Sequence, residues 1–93
     1  MDKAAQRAQW LQEVDDAKRI GELLRDPAVA GAFAHLESEA IRDWRESERA
    51  DDAIQSDAWH RLRALDGLKL KLESVVTTGQ MAAKNLEEMK RGD

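Results

Sequence analysis

The sequence predicts an all-α protein: an antiparallel helical hairpin with an additional N-terminal helix and a helical C-terminal tail. Three observations lead there. Apolar residues recur at steps of three and four, most clearly from Asp52 to Val76, which is the signature of one buried face on a helix. Gly (5) and Pro (1) are scarce and β-branched residues few, so strands and their turns lack raw material. Charged residues make up 37% and apolar ones 42%, with Ala, Leu, Glu, Lys and Arg prominent, the mixture typical of long amphipathic helices.

Residues 2–25 read as a first helix. Leu11, Val14, Ala17 or Lys18, Gly21 and Leu24 form its stripe, with Trp10 beside it. Asp2 is the expected N-cap. Arg25-Asp26-Pro27 then gives the clearest punctuation in the chain. Proline disfavours helix at the residue before it and suits the first helical position, where its missing N–H would have no partner anyway. Asp26 becomes the cap of a second helix that starts at once; a single helix kinked at this point is the alternative.

The second helix is expected over 27–49. Val29, Phe33, Leu36, Ala40 and Trp44 form its stripe, broadened by Ala32 and Ile41, with charged residues opposite. The acidic segment Glu48-Arg49-Ala50-Asp51-Asp52 has no apolar anchor and offers Asp51 or Asp52 as the next cap. So short a connection forces the third helix, 52–78, to run antiparallel to the second. Its face carries Ile54, Ala58, Leu62, Leu65, Leu68 or Lys69, Leu72 and Val75 or Val76. Thr77-Thr78-Gly79 weakens the helix. A tail over 80–91, with Met81, Ala82, Leu86 and Met89 on one side, either continues the third helix with a bend at Gly79 or stands as a separate one.

With 93 residues the chain makes one small domain, and a core this small draws stability from self-association or a partner. Cysteine is absent, which excludes disulfides, thiolate chemistry and cysteine-based zinc sites. The net charge of −4 is modest, with eight acidic residues against Arg42, Arg45 and Arg49 between Asp26 and Asp52. No basic stripe dominates, which argues against nucleic acid as a partner. No apolar run approaches the roughly 18 residues that span a bilayer, and MDKAAQRAQW lacks the apolar stretch of a signal peptide, so no membrane partner is expected.

No constellation for chemistry emerges. His35 with Glu39 at i+4 lacks a third ligand, and carboxylate neighbours such as Asp15-Asp16 or Glu87-Glu88 do not converge on a helix. There is no phosphate-binding loop. The expectation is a non-enzymatic protein without catalytic residue, metal, cofactor or small-molecule substrate. His60, Arg61 and Arg63 follow Trp59 but point in different directions and read as a solvated face.

What remains is an interaction surface. Leu62, Leu65, Leu68, Leu70, Leu72, Val75 and Val76 occupy well over half the circumference of the third helix, wider than one neighbouring helix can cover. Lys69 interrupts them; the reading adopted is that Leu68 takes the core place and Lys69 snorkels at the edge. Trp44 and Trp59 lie eight residues before and seven after Asp52, which fits either a staple at the closed end of the hairpin or anchors for a partner. Trp10 is divided the same way between packing and docking. The candidate protein-interface residues are therefore Trp10, Trp44, Trp59, Leu62, Leu65, Leu68, Leu72 and Val76.

The stretch DPAVAGAFAHLESEAIRDWRESERADD, followed by WHRLRALDGLKLKLESVVTTG, resembles a group of small helical proteins of tailed bacteriophages and prophages, encoded near head and packaging genes. The resemblance spans about residues 22–83 and rests on helix-forming residues, with Asp26, Pro27, Phe33, Leu36, Trp44, Trp59, Leu62, Leu65, Leu72 and Gly79 at its structural positions. It implies a virion or head-assembly protein, found in the virion or in the host cytoplasm during assembly, with further copies of itself or other virion proteins as partners. It brings no catalytic residue. The alternative expectation is a small phage-encoded inhibitor or regulator that binds a host protein or defence complex.

Overall fold

The computed structural model of the chain describes residues 2–47 and 52–92. It is all-α, with three helices in order: α1 (Lys3–Arg25), α2 (Pro27–Glu46) and α3 (Asp52–Gly92). The expected stretch of the second helix at 48 and 49, the acidic break and the Asp51 cap lie outside the described residues.

Each helix start follows from side-chain chemistry. The first amides of a helix have no partner one turn back, so an oxygen must be supplied. Asp2 Oδ1 accepts from the Ala4 amide at 3.0 Å. Asp26, in an extended conformation, accepts from the Ala28 amide at 2.8 Å, with Pro27 at the first helical position. One residue separates α1 from α2, which settles the alternative of a single kinked helix. At the other end of α2 the Ser47 amide donates to the Asp43 carbonyl at 3.0 Å and its hydroxyl to the Trp44 carbonyl at 2.7 Å.

Of the two readings of the C-terminal tail, the structure takes the continuation of the third helix. α3 is one helix of 41 residues that runs through Thr77, Thr78 and Gly79. Thr77 keeps its hydroxyl satisfied by donating to the Glu73 carbonyl one turn back. No glycine among the described residues adopts a positive φ.

The chain divides into two compact units, 1–24 with 71–93, and 25–70. In the first, α1 runs antiparallel to the second half of α3: Lys3 and Trp10 lie beside Asn85, Met89 and Gly92, and Glu13 and Asp16 beside Val75 and Thr78. The contact is tightest where Gly79 meets Ala17, with Gly21 and Ala82 also buried. A Cβ on Gly79 would overlap the Ala17 Cβ and come within 2.8 Å of the Glu13 carbonyl oxygen. Glycine is there because two helix backbones meet, not because the chain bends.

In this unit two expected positions change places with neighbours. Leu11 is exposed, and Trp10 instead stands half-buried in line with Val14, Ala17 and Gly21. Met81 also points outward; Val75, Gly79, Ala82, Leu86 and Met89 form the inner line.

In the second unit, α2 runs antiparallel to the first half of α3. Ala40 and Ala58 are buried, flanked by half-buried Val29, Phe33, Leu62 and Leu65. Ion pairs join the helices and fix their register, among them Asp43 with Arg61 and Glu37 with Lys69. Here the expected roles of Leu68 and Lys69 are reversed. Lys69 lies on the inner side, its Nζ 2.6 Å from Glu37 Oε1, and Leu68 stands on the rim. Lys69 follows Ala58, Leu62 and Leu65 at steps of four, three and four, so the inner line runs through it, and Glu37 supplies the counter-charge its place requires.

Candidate functional site

Among the described residues, no side chain larger than alanine is buried in the core; the buried apolar residues are Ala40, Ala58 and Ala82. Close approach of two helices leaves room only for small residues at the contact line. Larger apolar residues are displaced to its flanks, where two helices alone cannot cover them. Leu36 is 48% exposed, Trp44 50%, Trp59 49%, Leu68 49% and Leu70 67%. Ten large hydrophobic residues stand out in this way across the described chain.

The eight residues expected at an interface divide accordingly. Trp44, Trp59 and Leu68 are about half exposed. Leu62, Leu65, Leu72, Val76 and Trp10 are half-buried within their own units. Trp10 lines a shallow depression with Asn85, Glu88 and Met89. Trp59 carries two local contacts: His60 meets its ring edge-on at 5.1 Å between centroids, and the Arg63 guanidinium lies 5.1 Å from its centre. The cation covers part of the indole face from within the same helix.

Sequence reasoning missed Leu36 and Ala64 as site residues. Both line an apolar groove of the second unit, together with Leu65, Leu68 and Arg61, on one flank of the α2–α3 contact. It also misplaced Arg61. Instead of belonging to a solvated face, Arg61 donates from Nη2 to Asp43 Oδ2 at 2.9 Å and from Nε to Asp57 Oδ2 at 3.0 Å. A signal for this was present. Asp43 and Arg61 lie nine residues either side of Asp52, so a hairpin places them at one height. The hydrogen bond from Arg61 holds the Asp43 carboxyl below its ordinary value of 3.8, opposed in part by desolvation and aided by the charges of Arg61 and Arg42. The same bond raises Arg61.

The remaining polar features are local. His35 Nε2 lies 2.9 Å from Glu39 Oε1, both exposed, and no third ligand joins them: among the described residues no group of three His, Cys, Asp or Glu side chains is arranged to hold a metal ion. Arg19 with Asp15 and Arg91 with Glu87 are exposed pairs one turn apart. Among the described residues no helix is long and apolar enough to cross a membrane.

No protein-family model matches the chain, and neither a curated protein nor a solved structure matches it. The surface must therefore be read on its own chemistry.

Proposed function

We propose that this chain is a non-enzymatic assembly protein, a virion or head-morphogenesis component of a tailed phage, that binds protein subunits through apolar side chains left open on its helices. The observation that carries the binding role is the inversion of size and burial: alanines are inside, while leucines and tryptophans stand half exposed. Exposed apolar residues gathered along helix flanks favour burial against another protein. The phage setting is supported by the sequence resemblance alone.

The test is mass spectrometry of purified particles from cells that carry the gene in its own neighbourhood. An assembly protein appears there, or in head precursors, in many copies. Absence from both, together with stoichiometric capture of a single host enzyme by the tagged full chain, replaces this reading with that of a small inhibitor.

A further inference from the structure

We draw no further inference here: the strongest candidate, the apolar groove on one flank of the α2–α3 contact lined by Leu36, Ala64, Leu65 and Leu68, carries none because nothing in the structure shows what covers it.

Discussion

Gly79 of α3 lies directly against Ala17 of α1, and the fit leaves no room for a single added carbon. An alanine at 79 would gain up to about 1 kcal/mol in helix propensity. It would also drive a methyl group into the Ala17 Cβ and the Glu13 carbonyl, neither of which can swing aside. Overpacking of this kind typically costs about 1–3 kcal/mol, so the net effect of Gly79→Ala is destabilising. Urea denaturation followed by circular dichroism should show a lower midpoint. An unchanged or raised midpoint would refute the close approach.

The opposite holds for Gly31 and Gly67. Both lie inside helices, both are exposed, and a Cβ at either meets nothing within 4 Å. Only the propensity gain remains. Gly31→Ala and Gly67→Ala are each expected to stabilise the chain by roughly 0.5–1 kcal/mol. The same denaturation experiment checks this, and the contrast with Gly79 separates steric from conformational effects.

Asp26 holds the junction of α1 and α2 through its bond to the Ala28 amide. Replacement by alanine leaves that amide without a side-chain acceptor and should cost about 0.5–2 kcal/mol. Replacement by serine should restore most of the loss. Amide exchange at Ala28 and Val29 would locate the effect in the first turn of α2.

The Asp43–Arg61 pair makes stability depend on acid. The folded pKa of Asp43 is depressed, so its contribution is fully present above the ordinary value of 3.8 and is lost as pH falls through the lower, folded value. Asp43→Asn should therefore lower stability at pH 7 and flatten the part of the acid-unfolding profile below pH 3.8. A variant profile parallel to wild type across that window would show that the pair does not contribute.

These contrasts also show what could be read from the sequence. The all-α fold and the Asp2 and Asp26-Pro27 helix starts were legible, because capping and proline chemistry act over two or three residues. The antiparallel α2–α3 pair followed from the short connection. Faces were harder. Hydrophobicity favoured Leu11 over Trp10, Leu68 over Lys69 and Met81 over Gly79, and in each case the inner place went to the other residue. A closely approaching pair of helices selects small residues for its contact line and admits a lysine where the partner supplies a carboxylate. Neither condition is visible until the partner helix is known. Arg61 was misread because its partner Asp43 lies across the hairpin, 18 positions away, where only their equal distance from Asp52 points to the pairing.

A core of alanines has a calorimetric consequence. The heat capacity of unfolding scales with the apolar area newly exposed to water, about 12–15 cal/mol/K per residue in ordinary globular domains. Here much of that area is already wet in the folded chain. The isolated chain should unfold with a smaller heat-capacity increment per residue, over a broad temperature range, and association should restore both the increment and the sharpness of the transition.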